Sequence, residues 1–173
     1  MSRRIASRAT AELLAAERDI RAKLDGEPFD FVAMSAVANI YRCGTTIRRH
    51  MERTVLADYD LSWVAFTILW VLWIWGEQTS ADVASETGVS KATLTGVVRT
   101  LVGRGFVRRT AHPDDLRRVS LRLTRAGART IEDLFPQFNA HEALAVSALT
   151  EVQQRTLAHL LRTVIAQVDD ATD

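Results

Sequence analysis

The sequence has little cysteine, little proline and no long uninterrupted apolar run. Its single cysteine, Cys43, cannot form an internal disulfide. Only three prolines interrupt 173 residues, of which 47% are hydrophobic, so the chain can bury a core. The longest apolar stretch, residues 63–75, is shorter than the ~20 residues that a membrane-spanning helix needs, and no secretory signal is recognisable. We therefore expect a folded protein of the cytoplasm.

The groupings on which most enzymes depend are also missing. The four histidines are scattered, no glycine-rich phosphate loop is present, and one cysteine cannot build a zinc cluster. We expect no catalytic residues, no bound metal and no cofactor. Cys43 stands beside Gly44 and is expected to be a small packed residue rather than a redox sensor.

The positive charge is concentrated in one segment. Residues 90–125 hold nine Lys/Arg and two Asp/Glu, a local charge of +7, although the whole chain carries only +1. Clustered cations attract a phosphate backbone, so this segment is a candidate nucleic-acid surface. The alternative is an ordinary solvated basic face.

Helical periodicity is strong towards both ends of the chain. Residues 2–24 carry apolar side chains every three or four positions, and a second helix is predicted from a cap at Asp30 to about Leu56. After Thr124 the pattern is helical again, with Pro136 as a kink or break, and a last helix is expected after a cap at Thr150. The broad apolar faces predict that the terminal helices pair with each other or with a second copy of the chain.

The centre of the chain has the capping and turn residues expected of a helix-turn-helix. A Trp-rich helix at residues 62–75 is apolar on nearly every side and must be enclosed. Thr79 and Asp82 form a capping pair for a short helix, and Ser90 caps a second helix that runs to about Arg104.

A β-hairpin is predicted to follow the second helix. Strands at residues 106–110 and 119–123 are joined by a turn at residues 112–115. Arg117 and Arg118 stand just beyond that turn, where a long cationic side chain can enter the minor groove of DNA. The alternative is an ordinary polar hairpin whose charges have no specific role. The sequence therefore predicts a mainly α-helical winged helix-turn-helix fold, the hairpin being the wing.

The second helix of the helix-turn-helix carries the candidate major-groove contacts. Residues near the start of such a helix reach base edges while its amides face phosphate. The structural alternative is that Ser90 is only an N-cap and that the threonines are merely exposed. The candidates are Ser90, Lys91, Thr93, Thr95 and Arg99.

The stretch from Leu61 to about Gly127 resembles the multiple antibiotic resistance regulator (MarR) family. The resemblance lies in TSADVASETGVSKATLTGVVRTLVGRGFVRR, the wing HPDDLRRVSLRLT and the closing LTRAG. It implies a homodimer that binds a palindromic operator, with Ser90 to Arg104 as recognition helix and Arg117 as wing arginine. The sequence departs from the family at Gly96, Leu116 and His112, where charged residues are common, and at Arg99, where an acidic residue is usual. These departures mean that the operator cannot be inferred from relatives.

The resemblance also implies a division of the chain. Residues 61–124 would form the DNA-binding lobe, and residues 26–60 and 125–173 the helical dimerisation region. Residues 1–25 form an amphipathic helix that lies beyond the usual start of the family.

Many members of this family respond to small aromatic or anionic ligands that bind between the dimerisation helices and the lobe. Aromatic and polar side chains predicted near that region are Tyr41, Arg49, His50, Trp63, Phe66 and Trp70. The alternative is that the Trp-rich helix is plain core.

Together these features predict a dimeric transcriptional regulator that binds double-stranded DNA, a repressor released by a small ligand. Two recognition helices ~34 Å apart would require a pseudo-palindromic site. The alternatives are a winged-helix protein-interaction module that does not bind DNA and a regulator without a small-molecule effector.

Overall fold

A computed structural model describes residues 15–112 and 115–171, without the side chains of residues 111, 112 and 115–118. The chain divides into two compact units, one ending at Ile47 and one beginning at Arg48. None of the described helices is long and apolar enough to cross a membrane.

The first unit is built from two helices. Helix α1 covers residues 15–23 of the described chain, and α2 runs over Phe31–Thr54, its last residues entering the second unit. Asp30 caps α2 as predicted, because its Oδ1 accepts hydrogen bonds from the amides of Val32 (3.0 Å) and Ala33 (2.9 Å). The predicted helix at residues 2–24 is confirmed over its described part, and its first residues lie outside the described chain. Cys43 on α2 is exposed, so the prediction that it is a packed residue is wrong.

The second unit contains the remaining helices and all the described strands. A short 3₁₀ helix and the Trp-rich helix come first, and the helix-turn-helix, the wing and two long helices follow. In chain order the elements are the 3₁₀ helix Leu56–Tyr59, α3 Trp63–Trp75, β1 Gln78–Thr79, α4 Ser80–Thr87, α5 Lys91–Gly103, β2 Val107–His112, β3 Asp115–Leu123, α6 Arg125–Ala145 and α7 Glu151–Asp170.

The wing is a three-stranded antiparallel sheet in the order β1-β3-β2. The hairpin of β2 and β3 was predicted, and β3 begins earlier than the predicted strand. Strand β1 was not predicted: its two residues pair with Leu121 and Ser120 of β3. Two residues are too short to show an alternating pattern, so only the pairing partner makes this segment a strand.

Helix α3 lies at the centre of the core of this unit. It contacts α4, α5, α6 and β3, and its side chains from Ala65 to Leu72 are mostly buried. The prediction that the helix is enclosed on nearly every side is wrong for its last turn, where Ile74 and Trp75 are 46% and 54% exposed. Uniform apolarity gives no directional signal, so the sequence could not show which end leaves the core.

Helix α6 passes through Pro136 without a break. Leu134 and Phe138 on either side of the proline are buried, and the helix is continuous over Arg125–Ala145. A proline removes one helical hydrogen bond and crowds the preceding turn, but tertiary packing holds the flanking turns here. The alternative of a break at Pro136 is therefore wrong.

Candidate nucleic-acid interface

Local capping bonds fix the helix-turn-helix. Thr79 Oγ1 accepts from the Asp82 amide (3.2 Å), and an Asp82 carboxylate oxygen accepts from the Thr79 amide (3.4 Å), which completes a capping box at the start of α4. Helix α4 ends at Gly88, whose φ of 63° is left-handed. These residues fix where α4 begins and where it ends before α5.

Helix α5 begins at the predicted cap. Ser90 Oγ accepts from the Thr93 amide (3.2 Å) and lies 2.9 Å from Thr93 Oγ1. Thr95 Oγ1 donates to the Lys91 carbonyl (2.8 Å), so the proton of this hydroxyl is already used while its lone pairs can still accept. Ser90 is therefore an N-cap, and a further role for its hydroxyl stays a prediction.

One side of α5 is buried and the other is open. Leu94, Val98 and Leu101 point into the core, whereas Lys91 and Arg99 are exposed. The N-terminal turn of α5 thus presents amides and a cation to solvent, as an anion-binding helix end does.

Five cations on α5, β2 and β3 have no carboxylate partner among the described residues. Within the described part of the chain they are all exposed and form no ion pair: Lys91, Arg99, Arg108, Arg109 and Arg122. Arg99 and Arg109 line one hollow between α5 and β2. An anionic surface such as a phosphate backbone would complement this arrangement.

The register of the wing places two of these cations opposite each other. Arg108 of β2 pairs directly with Arg122 of β3. Like charges on directly opposed residues of an antiparallel pair destabilise a sheet. Arg108 and Arg122 contributed to the +7 count but were not singled out from the sequence, because only the strand register brings them together.

Arg104 belongs to the same basic segment but has a different role. Its guanidinium donates to the carbonyls of Tyr59 (2.8 Å) and Asp60 and lies 4.7 Å from the centre of the Phe106 ring. Only 29% of its side chain is exposed. Arg104 therefore fastens the end of α5 to the turn that precedes α3.

The closing motif LTRAG fastens the base of the wing. Thr124 caps α6 by accepting from the Gly127 amide (3.1 Å), and it donates its hydroxyl to the Gly105 carbonyl (2.6 Å). Its own amide donates to the Phe106 carbonyl (3.0 Å). A Cβ on Gly127 would lie 2.1 Å from that carbonyl oxygen, so the close approach needs glycine.

The predicted wing-tip contacts lie outside what the structure describes. Arg117 and Arg118 stand in β3, but their side chains are among those not described. Their roles stay predictions.

Three of the predicted ligand residues form one aromatic cluster with α6. Phe66 lies 4.1 Å from Phe138 between ring centres, and Trp70 lies 4.6 Å from Phe135. Trp63 approaches both Phe66 and Phe138 at 6.0 Å. The rings pack against one another as a core cluster does, and their ligand role stays a prediction.

The other three predicted ligand residues are not gathered into this cluster. His50 Nε2 lies 2.8 Å from Nδ1 of His141, a hydrogen bond that requires at least one of the two rings to be unprotonated. Arg49 is exposed, and Tyr41 lies in the first unit with 74% of its surface exposed. His141 was missed from the sequence because 91 residues separate it from its partner.

The described residues contain no group of three or more His, Cys, Asp or Glu that could hold a metal ion.

Comparison with known proteins gives a consistent result. The family model described as MarR family matches residues 61–119. The helix-turn-helix transcriptional regulator YwaE of Bacillus subtilis is 36% identical over 151 residues, which cover 86% of this chain and 88% of YwaE. The transcriptional repressor NicR of Pseudomonas putida is 26% identical over 150 residues, covering 87% of this chain and 94% of NicR.

A solved structure shares the fold. BpsR of Bordetella bronchiseptica, whose DNA binding is regulated by 6-hydroxynicotinic acid, superimposes with a TM-score of 0.69 at 23% identity. The match covers 75% of this chain and 98% of BpsR.

Proposed function

The chain belongs to the MarR family of transcriptional regulators, and from that premise we propose that it is a homodimeric, sequence-specific DNA-binding repressor. The observation that carries the proposal is the set of five exposed cations without carboxylate partners, on and beside the helix that the family uses for recognition. Regulators of this class are not enzymes, and the function resides in DNA contacts.

We assign the major-groove contacts to the first turns of α5. Its exposed N-terminal amides and Lys91 would meet phosphate, while Thr93 and Thr95 would face base edges. Arg99, one turn further along, lines a hollow with Arg109 of β2. Ser90 would act mainly through its cap, which points the α5 amides at the backbone.

We assign the minor-groove contact to the wing. Arg117 and Arg118 follow the turn between β2 and β3, and a narrow minor groove attracts such cations. The opposed pair Arg108 and Arg122 favours an anion near the wing, because DNA phosphate would relieve the repulsion between them.

The proposed dimer is supported by apolar faces that a single chain leaves open. Val32 on α2 is 82% exposed, Val152 on α7 is 73% exposed, and no residue of α7, which the structure describes throughout, is buried. Faces of this kind are normally covered by a partner. Two copies would place two recognition helices on one face of a pseudo-palindromic duplex.

Release by a small aromatic or anionic ligand is the last part of the proposal. BpsR supports it, because its DNA binding is regulated by 6-hydroxynicotinic acid. A regulator without an effector is the alternative. Tryptophan fluorescence separates the two, since Trp63 and Trp70 are among the proposed ligand residues and a screened acid that binds there would change their emission.

Fluorescence polarisation with duplexes that flank the coding sequence of the protein tests the main proposal. Binding should be saturable, should exceed binding to a scrambled duplex, and should weaken as salt rises from about 50 to 200 mM. Binding that is weak, indifferent to sequence and insensitive to salt would contradict the proposal and favour a protein-interaction module. A chain that sediments as a monomer at micromolar concentration would contradict the dimer.

Matched variants locate the contact surface. Each phosphate contact contributes about 0.9 to the slope of log K against log salt, so Lys91→Ala, present twice in a dimer, should reduce the slope by about 2. Arg162→Ala removes the same charge from the exposed surface of α7 and should leave the slope unchanged. Equal effects of the two substitutions would contradict the assignment of α5 to the DNA surface.

A further inference from the structure

The wing has two faces, and its arginines are divided between them. Successive residues of a strand point to opposite faces of a sheet. Arg109 of β2 lies opposite the buried Leu121 and lines the hollow beside α5, so it belongs to the inner face. Arg108 and Arg122 lie one position away on their strands and therefore project from the outer face. The sheet separates these two arginines from the recognition helix.

The described side chains of β2 and β3 on the outer face include no carboxylate. Arg108 and Arg122 are exposed and form no ion pair in the described chain. Thr110 lies opposite Ser120, two residues further along the hairpin, and Thr110 is exposed. Guanidinium and hydroxyl groups both donate hydrogen bonds, so this face is suited to an anion.

The first turns of α6 continue the positive charge beyond the wing. The Thr124 amide donates to the Phe106 carbonyl (3.0 Å), so Arg125, the first residue of α6, directly follows the last hydrogen bond of the hairpin. Arg129 follows one turn later. Both arginines are exposed and lie on the side of α6 opposite its buried residues. Arg122 is three residues before Arg125, so the two sets of cations adjoin.

The outer basic face consists of four arginines: Arg108, Arg122, Arg125 and Arg129. Their placement is unfavourable in the isolated chain, because one pair is directly opposed across the strands and the other is spaced i,i+4 on a helix. The first turn of α6 contains no acidic residue, although a negative charge is preferred at that end of a helix. Glu132 and Asp133 come later in α6 and form no ion pair with Arg129 in the described chain. An extended anion across this face would relieve all these repulsions at once.

We propose that the outer basic face binds phosphates of the DNA that flanks the operator, outside the half-site read by α5. The inference rests on the proposed function, in which α5 occupies the major groove on the inner side of the wing. A duplex that passes α5 continues beyond the wing, so its next phosphates lie on the outer side of the sheet. Flanking contacts to phosphate would add affinity without adding sequence preference.

Two duplexes test the proposal by fluorescence polarisation. The core duplex is the shortest DNA beside the coding sequence that the protein prefers over a scrambled duplex, and the extended duplex adds about one helical turn of scrambled sequence, ~10 base pairs, at each end. One flanking contact per chain in a dimer should make the slope of log K against log salt steeper by about 1.8 on the extended duplex. If the core duplex is not bound specifically, the proposed function fails and this inference fails with it. If the core duplex is bound and the two slopes are equal, only this inference is overturned.

Variants locate the flanking contact. The double substitution Arg125→Gln and Arg129→Gln should reduce the slope difference between the two duplexes by about 1.8–3.6, for one or two lost contacts per chain. The matched double substitution to lysine keeps the charges and should keep the difference. An unchanged difference in the glutamine variant would overturn the proposal, and so would an equal fall of the slope on both duplexes, which would place the contact inside the operator.

A second variant covers the case in which the glutamine pair does not fold. Arg108→Met removes one member of the like-charge pair on the wing, so the fold should tolerate it. It should reduce the slope difference by about 1.8, for one lost contact per chain in a dimer. A folded Arg108→Met protein that keeps the full difference would overturn the assignment of the outer face to flanking DNA.

Discussion

Replacement of Gly127 by alanine should destabilise the protein although it places a better helix former in a helix. Gly127 is the third residue of α6, directly behind the Thr124 cap. The added Cβ would lie 2.1 Å from the Phe106 carbonyl oxygen and 2.9 Å from its carbon. Real Cβ atoms essentially never approach within 3.0 Å, so α6 and the start of β2 must separate by about 1 Å.

The magnitude follows from the contacts that this separation breaks. Overpacking against the backbone costs about 1–3 kcal/mol. The hydrogen bond from the Thr124 amide to the Phe106 carbonyl, 3.0 Å long, is stretched at the same time, which costs about 1 kcal/mol more. The higher helix propensity of alanine stabilises the variant by at most about 1 kcal/mol. The expected net loss is about 1–3 kcal/mol.

Urea unfolding at one fixed protein concentration measures this loss, and Gly96→Ala is the matched control. Gly96 lies inside α5, and a Cβ there would meet nothing within 4 Å. The control should therefore gain about 0.5–1 kcal/mol. With a slope of about 2 kcal/mol/M, the midpoints of the two variants should differ by about 1 M or more. A Gly127→Ala protein as stable as Gly96→Ala would refute the close-approach explanation of the LTRAG motif.

Further substitutions test the other interactions that hold the fold together. In urea unfolding, Arg104→Met should lower the free energy of unfolding by about 1–3 kcal/mol, because two hydrogen bonds from a cation to backbone carbonyls are lost. In the same assay, Arg108→Met should be neutral or slightly stabilising, because it removes the like-charge pair with Arg122. Thr79→Ala should cost about 1 kcal/mol in thermal unfolding through loss of the capping box, and Thr79→Ser should cost less. The hydrogen bonds that Glu17 accepts from Asn39 and Ser35 lower its pKa, which implies that its contribution to stability is present above the ordinary carboxyl pKa and is lost as the pH falls through the lowered value. The hydrogen-exchange protection factors of residues 15–23, taken relative to the intrinsic amide rates at each pH, should therefore fall in acid, and Glu17→Gln should abolish that dependence.

The sequence was most informative where structure is decided locally. The caps at Asp30, Thr79, Ser90 and Thr150 were all predicted, because each depends on one side chain and an amide two or three residues ahead. The glycine turn at Gly88 followed from the same local rule. Four helix starts and the family motif therefore needed no knowledge of the tertiary structure.

Features that depend on distant partners could not be found in the same way. Strand β1 exists only because β3 lies beside it, and the pair Arg108 and Arg122 follows from a strand register that composition does not encode. His50 was singled out from the sequence, but its partner His141 was not. The candidate DNA surface was thus predicted as a charge cluster, and its division into free and engaged cations required the structure.

That division changes how the basic segment is understood. A charge count treats its nine basic residues as equivalent, yet Arg104 lies under the end of α5 and holds Tyr59 and Asp60, whereas Arg99 has no carboxylate partner in the described chain. Loss of Arg104 should therefore weaken DNA binding by loosening α5, and loss of Arg99 by removing a charge. The salt dependence separates the two causes, because it falls only when a phosphate contact is lost. If an Arg104 variant binds DNA more weakly but keeps the same salt slope, Arg104 acts by holding the recognition helix in place.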